Sequence, residues 1–318
     1  MAQIRFNVRL RSIGRIAIAR SRSLIQYAGR NSHTRIMAFG VMLLLLLLPS
    51  WLRVTGQLVL KGSSDVLLNI GLLYLGSERL WQQRQVLQAE ATIDEDRVLG
   101  HLLILGGAAC MPFFFNSASF QALIAGVIVL GMIISHWGLV AIQRAPLAIA
   151  LILLSLYPDL GFLGNTIRRG LTGQQLEILM ASSAAAVFSM FGHPVITQGP
   201  ILVLSDTLEA AKAVEVASGC SGFDLAFTIA GFGFIMGLYF KQSWQRITAL
   251  MGIGVFLALV TNIPRIMLLA IAIVYWGKNS FEFWHGPFGG QIFAAILLTL
   301  YYYIAMAIIN FKSSKNKI

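Results

Sequence analysis

Long apolar runs, separated by short polar breaks, recur along almost the whole chain. Nine of them approach the ~20 residues that a membrane-spanning helix needs, within the usual range of about 17 to 25. They are Ile36 to Leu52, Val66 to Trp81, Leu99 to Phe115, Phe120 to Trp137, Ala145 to Phe162, Leu176 to Phe191, Phe223 to Phe240, Ile247 to Trp276 and Phe288 to Ile309. The pattern predicts an all-α fold, a polytopic integral membrane helical bundle. The stretch Gln82 to Arg97 is the one sizeable charged interruption, the leucine run Leu43 to Leu48 is the one low-complexity tract, and neither an internal repeat nor a Gly/Ser linker divides the chain.

Composition removes the soluble alternative. Hydrophobic residues make up 57% of the chain and charged residues 12%, with a mean hydropathy of +0.75, whereas soluble domains carry roughly 25% charged residues. The net charge of +11 would suit nucleic acid if it were spread over one surface. It lies instead at the ends, against apolar spans, which makes the lipid bilayer the expected partner and excludes nucleic acid. Residues 1–35 hold eight arginines and no acid, and the tail after Asn310 carries Lys312, Lys315 and Lys317. Basic flanks are retained on the cytoplasmic side, so both termini are expected there. This gives a basic arm over residues 1–35, a membrane domain over 36–310 and a basic tail over 311–318. The arm interleaves Ile4, Phe6, Val8 and Leu10 with arginines, the pattern of a basic amphipathic helix on anionic lipid or of a topology signal, preferred over the transit peptide it also resembles.

Two cytoplasmic ends require an even number of crossings. About eight are expected, with one of the nine stretches re-entrant or two of the three crowded between Leu99 and Phe162 merged differently. Counting back from the C-terminus puts the loop Lys278 to Pro287 outside, Lys241 and Arg246 inside, Cys220 outside, and Arg168 with Arg169 inside. The expected location is the plasma (inner) membrane.

The cysteines are two, Cys110 and Cys220, too few for a disulfide framework or a metal cluster; no metal or cofactor is expected. Cys110 lies within an apolar run and reads as packing. The chemistry is expected within residues 192–290. The non-spanning segment Gly192 to Gly219 leads into Cys220-Ser221-Gly222, directly before an apolar helix. A cysteine at a helix N-terminus is favoured as thiolate, and Gly219 and Gly222 allow a tight turn and close approach of a substrate backbone. The chain then crosses, turns at Lys241 to Arg246 and returns; from Ile247 to Arg265 it climbs roughly 27 Å at ~1.5 Å per residue, close to the ~30 Å hydrocarbon thickness. Arg265 is thereby returned toward the face holding Cys220, one residue after Pro264, which removes a helical hydrogen bond. His285 lies in the following loop, with Gly286, Pro287, Gly289 and Gly290. An arginine within an apolar helix is a functional hypothesis by default. Together the three suit acyl transfer: Cys220 as nucleophile, His285 as acid and base, Arg265 holding the oxyanion.

In these residues the chain resembles the exosortase/archaeosortase family of integral membrane processing enzymes, with a Cys-Ser-Gly (Cys220 to Gly222), an Asn-x-x-Arg (Asn262 to Arg265) and a later His (His285). The resemblance covers roughly Leu176 to Ile309. It implies a membrane cysteine protease or transpeptidase that cleaves the C-terminal, PEP-CTERM-like sorting signal of exported proteins through a thioester on Cys220. The partners implied are exported proteins ending in a short motif, a transmembrane helix and a basic cluster. Many relatives continue with Leu-Arg where this chain has Phe223-Asp224, which points to a divergent branch such as the cyanobacterial one.

Supporting roles fall to Asn262, Ser221 and Asp224. Asp224 is placed to orient His285, to pair with Arg265 or to cap its helix. Asp206, Glu209 and Glu215 read as a solvated face, His101, His136 and Asp159 as packing or interfacial groups, and His193-Pro194 as a turn. Two other readings compete. Gly219-Cys220-Ser221-Gly222 also fits the Gly-x-Ser-Gly of rhomboid-like intramembrane serine proteases, with Ser221 as nucleophile and His285 as base, but that leaves Arg265 without work. A small-anion transporter would use Arg265 beside the helix broken at Pro264, and has no need of Cys220 and His285 at the same mouth.

Overall fold

The computed structural model describes residues 31–61, 63–90, 92–114, 116–193, 195–204 and 213–315, with side chains through residue 310. Most of the basic arm, Asp206, Glu209, and the side chains of Lys312, Lys315 and Lys317 lie outside the described residues.

The apolar runs form helices, as expected: α1 (Ser32–Leu60), α2 (Asp65–Ala89), α3 (Asp94–Cys110), α4 (Ala118–Trp137), the short α5 (Val140–Arg144), α6 (Pro146–Ser155), α7 (Leu160–Thr172) and α8 (Gln175–Met190). Three short strands follow, β1 (Ile196–Gln198), β2 (Ile201–Val203) and β3 (Ala213–Glu215), and a 3₁₀ turn at Ser218–Cys220 leads into α9 (Phe223–Tyr239). The chain ends in α10 (Trp244–Ile271), a wider π turn at Ala272–Trp276, α11 (Lys278–His285) and α12 (Pro287–Lys315). By length and hydropathy α1, α3 with its 3₁₀ extension, α4, α10 with the π turn, and α12 are each able to cross a membrane. Helices α6 and α7 reach that standard only as one span broken at residues 156–159, and α8 and α9 are shorter apolar helices. The run Val66 to Trp81 forms the first half of α2, yet Glu78, Arg79 and Arg84 leave that helix too polar to meet the same standard. The protein is a polytopic helical membrane protein with one small sheet.

Two compact units divide the chain: Met1–Arg53 with Gly76–Leu156, and Val54–Leu75 with Tyr157–Ile318. In the first, α3 and α4 approach closely because glycine faces backbone. A Cβ on Gly131 would lie 2.7 Å from the Gly100 carbonyl oxygen, and one on Gly107 2.7 Å from the Ile128 side chain. Without a hydrophobic drive inside lipid, such small-residue contacts let van der Waals packing hold helices together. His101 packs against α1, its Nε2 3.0 Å from Nδ1 of His33. Cys110 is exposed on this unit rather than packed.

The second unit is organised around α9, α10 and α12, whose buried Ile229, Leu250, Leu297 and Tyr301 form one core. The Tyr301 hydroxyl donates to the Leu250 carbonyl at 3.2 Å. It fits only because Gly233 and Gly254 have no side chain: a Cβ at Gly254 would meet Ile229 at 2.5 Å and the Tyr301 ring at 3.1 Å, and one at Gly233 would collide with the Tyr301 hydroxyl. The break before α7 frees carbonyls that must be satisfied in an apolar setting. Asn69 does so, its amide donating to Tyr157 and Pro158 at 3.0 and 3.1 Å.

The strands form an antiparallel sheet in the order β1-β2-β3, with Thr197 opposite Leu202 and Leu202 opposite Val214. Helix α8 covers it: Met180, Ala181 and Ala184 pack with Leu202, Val216 and Ile266. At the start of α8, Glu177 is 3% exposed and receives both terminal nitrogens of Arg168, at 2.7 and 3.2 Å. The Arg168 guanidinium also lies 5.1 Å from the centroid of the Phe223 ring. Phe223 follows Cys220 by three residues, whereas a crossing would separate Arg168 from that end by about 30 Å. The expectation that Leu176 to Phe191 carries Arg168 to the face opposite Cys220 is therefore corrected. Arg168 is held by a buried carboxylate nine residues away in sequence and is not a charge left at the far interface.

Candidate active site

Residues from five separate segments meet at the end of the second unit where α9 begins. A cavity of ≈ 610 Å³ is lined by Asp65, Asp159, Asp224, Arg265 and His285, among others. A second, of ≈ 150 Å³, is lined by residues 214–217 together with Cys220, Ile266, Leu269, Phe281 and His285. His285 borders both. Cys220, Arg265 and His285, predicted to converge, thus lie around two cavities that share the histidine.

Cys220 does not sit on the first turn of α9. It ends the 3₁₀ turn, its N–H bonded to the Ala217 carbonyl at 2.8 Å, and Gly222 is the residue that precedes the helix, in a left-handed conformation at φ +78°. The expected helix-dipole activation is not what dominates. Burial pushes the Cys220 thiol above its ordinary value, and the Arg265 guanidinium pulls it partly back; desolvation penalises the thiolate while a nearby cation favours it. Of the two flanking glycines only Gly222 is conformationally required. A Cβ there would also lie 2.8 Å from the Asn262 amide group, whereas a Cβ on Gly219 meets nothing within 4 Å.

Asn262 is 1% exposed and its amide donates to the Cys220 carbonyl at 2.9 Å, tying α10 to the turn that carries the thiol. Its Oδ1 is buried and unpartnered among the described residues. Arg265, one turn further along α10, has a buried Nε with no partner there either. Most buried polar groups are paired; Asn262 and Arg265 thus carry two unsatisfied groups three residues apart on α10.

Ser221 is fully buried, and its hydroxyl donates to the Ser218 carbonyl at 2.7 Å. It braces the turn and is closed to a substrate. His285 is not in a loop, as the sequence suggested, but is the last residue of α11, exposed and stacked on Phe281 with ring centroids 5.1 Å apart. No hydrogen bond joins it to Cys220 among the described residues; a nucleophile and its base are often looser before substrate binds. Asp224 neither caps α9, which has no side-chain cap, nor forms an ion pair with Arg265. Its carboxylate lines the larger cavity. Asp159 caps α7 by accepting from the Phe162 N–H at 2.8 Å.

Asp65 is a residue of the site that sequence reasoning missed. It is 5% exposed, accepting from the Gly161 N–H at 3.1 Å and from the Thr228 hydroxyl at 3.4 Å, so that one carboxylate ties α2 to α7 and α9 behind the site. Its only signal is an acid after Ser63-Ser64 at the edge of an apolar run, which reads equally as a helix start.

A polytopic helical membrane protein with a cysteine, a histidine and an unpaired arginine at one end of the bundle is the class defined so far. The comparison with known families is specific: the chain matches the transmembrane exosortase family over residues 61–302 and belongs to it. The match takes in every segment that lines the two cavities apart from the last turn of α1. Neither the curated proteins nor the solved structures give a match. As a member of this family the protein is a membrane-embedded enzyme that processes sorting signals.

Proposed function

We propose that this protein is a cysteine peptidase or transpeptidase that cleaves the C-terminal sorting signal of exported proteins at the external face of the plasma membrane. The observation that carries this reading is the convergence of Cys220, Arg265 and His285 on two cavities with His285 common to both. A thiol held above its ordinary value is protonated at rest, so it needs a base as it attacks. His285 takes the Sγ proton, Sγ bonds to the scissile carbonyl carbon, and the carbonyl oxygen becomes an oxyanion facing Arg265. The C–N bond then breaks, His285 returns the proton to the departing amine, and a thioester remains on Cys220. Water or an amine, deprotonated by the same histidine, completes the reaction from the larger cavity.

Cysteine is preferred to serine because the Ser221 hydroxyl is buried and already donating. A transporter would account for the unpaired Arg265 but not for a thiol and a histidine bordering one small groove. The decisive experiment follows a native precursor by pulse-chase in membranes carrying single variants. Cys220→Ala is expected to abolish processing and Ser221→Ala to retain it. Processing that survives in Cys220→Ala sinks the reading.

A further inference from the structure

Among the described residues, β3 is an edge strand beside the nucleophile. Its inner side pairs with β2, where Val214 lies opposite Leu202 and the Val216 N–H reaches the Pro200 carbonyl at 2.9 Å. In an antiparallel ladder successive residues direct their N–H and C=O alternately to one neighbour and to the other. Val214 and Val216 face β2, so Ala213 and Glu215 present theirs to the opposite side. The Glu215 carbonyl accepts from the Ala217 N–H at 3.1 Å. The Ala213 N–H and C=O and the Glu215 N–H make no hydrogen bond with another described residue, and both residues are exposed. Across the ≈ 150 Å³ groove stand Ile266 and Leu269 of α10 and Phe281 of α11, and the groove also holds Cys220 and His285.

One wall thus offers the unpaired Glu215 N–H, with Ala213 continuing the same strand edge just beyond the groove, and the other an apolar surface, with the thiol five residues beyond β3. That is the arrangement strand addition uses, in which main-chain bonds supply affinity and alternate side chains fill pockets. A helical segment cannot exploit it, because its backbone bonds are internal and it is about 10 Å wide with side chains.

We propose that the substrate binds as an extended strand added to the free edge of β3, bonded to Ala213 and Glu215, with an apolar side chain against Ile266, Leu269 and Phe281. The scissile carbonyl is thereby delivered to Sγ of Cys220. This rests on Cys220 being the nucleophile, and it adds that the residues around the cut must be unwound from any helix before cleavage.

The test uses the full-length protein in lipid nanodiscs and acetyl-Ala-Val-Ala-Val chloromethyl ketone, which alkylates a thiol as chloride departs. Each amide of the probe is N-methylated in turn, and iodoacetamide, which has no strand to add, serves as reference. In the wild-type protein, methylation at alternate amides is expected to slow labelling of Cys220 roughly three- to tenfold, the worth of one backbone hydrogen bond, with little change at the amides between. Glu215→Pro removes one outward N–H without touching the bonds to β2, and should slow the peptide probe by a similar factor while iodoacetamide labelling is unchanged. A flat response across the methylated series overturns strand addition, whether or not Glu215→Pro folds. That result leaves the nucleophile intact, whereas precursor processing by Cys220→Ala removes the nucleophile itself.

Discussion

The sharpest consequence of the site's construction is carried by a single methyl group on Gly222. Its φ of +78° places any other residue in the left-handed region, at about 1–2 kcal/mol for an L-residue. The added carbon also arrives 2.8 Å from the Asn262 amide, the group that holds the Cys220 carbonyl at 2.9 Å. Asn262 is buried and cannot swing into solvent, so the collision is relieved by giving up that hydrogen bond, about 0.5–1.5 kcal/mol. Together these come to roughly 1.5–3.5 kcal/mol, or about a 10- to 300-fold fall in the working arrangement. Gly222→Ala should therefore slow precursor cleavage by about that factor, while Gly219→Ala, whose Cβ enters open space, stays within about threefold of wild type, as expected of a change that strains nothing. The assay is a pulse-chase of precursor to product at matched membrane levels of each variant. Pairing Gly222→Ala with Asn262→Ala should give less than the sum of the two losses, because both variants give up the same hydrogen bond to the Cys220 carbonyl and the contact with the amide goes with it, leaving only the Asn262 Cβ at 2.9 Å. Equal behaviour of the two alanine variants, or full additivity in the pair, refutes the account.

Three other outcomes follow from the same geometry. Arg265→Lys keeps the charge but loses the planar fork, and should slow cleavage by about 100- to 1,000-fold with precursor still co-purifying, the usual effect of losing an oxyanion donor; near-normal cleavage would remove Arg265 from that role. Because burial raises the Cys220 thiol and Arg265 opposes it, iodoacetamide labelling should rise with pH to a midpoint above that of an ordinary cysteine, and Arg265→Gln should move the midpoint higher still, as mass spectrometry of the alkylated peptide across a pH series would detect. Glu177→Gln removes the carboxylate from the mostly buried Arg168 guanidinium, which keeps Asn165 and the Phe223 ring as partners, and should destabilise by less than the ~3–5 kcal/mol of a fully stranded charge, read as a lowered thermal midpoint in detergent.

That Cys220, Arg265 and His285 border the same pair of cavities was legible because each is anchored by apolar arithmetic: Cys220 precedes a helix, Arg265 lies one hydrocarbon thickness along the returning helix, and His285 follows its end. What stayed hidden depends on pairings distant in sequence. Length and hydropathy say nothing of which charge ends up beside which partner, so Arg168 read as an interfacial charge because its carboxylate and its aromatic partner are local only after folding. Asp65 carries no motif, and its work is defined by Gly161 and Thr228, about a hundred residues and more away. Strands of three residues leave too little alternation to be recognised. The loop expected around His285 became helix α11 because residues 278–285 offer no proline or glycine to stop one.

The glycines where α9 meets α10 and α12 set tolerances as well as contacts. Cys220 ends the 3₁₀ turn just before α9 and Asp224 rides on the first turn of α9, while Asn262 and Arg265 sit on the upper part of α10, so the spacing within the site depends on how those helices mesh below it. Gly233 lies about three helical turns beneath Phe223 and accepts the Tyr301 hydroxyl, while Gly254 accepts Ile229. A side chain at either position would wedge the helices apart and, through rigid rods, tilt the thiol away from its donors. The bundle interior thus works as a gauge block for the chemistry above it, and substitutions that touch neither cavity can still decide whether the nucleophile and its partners align.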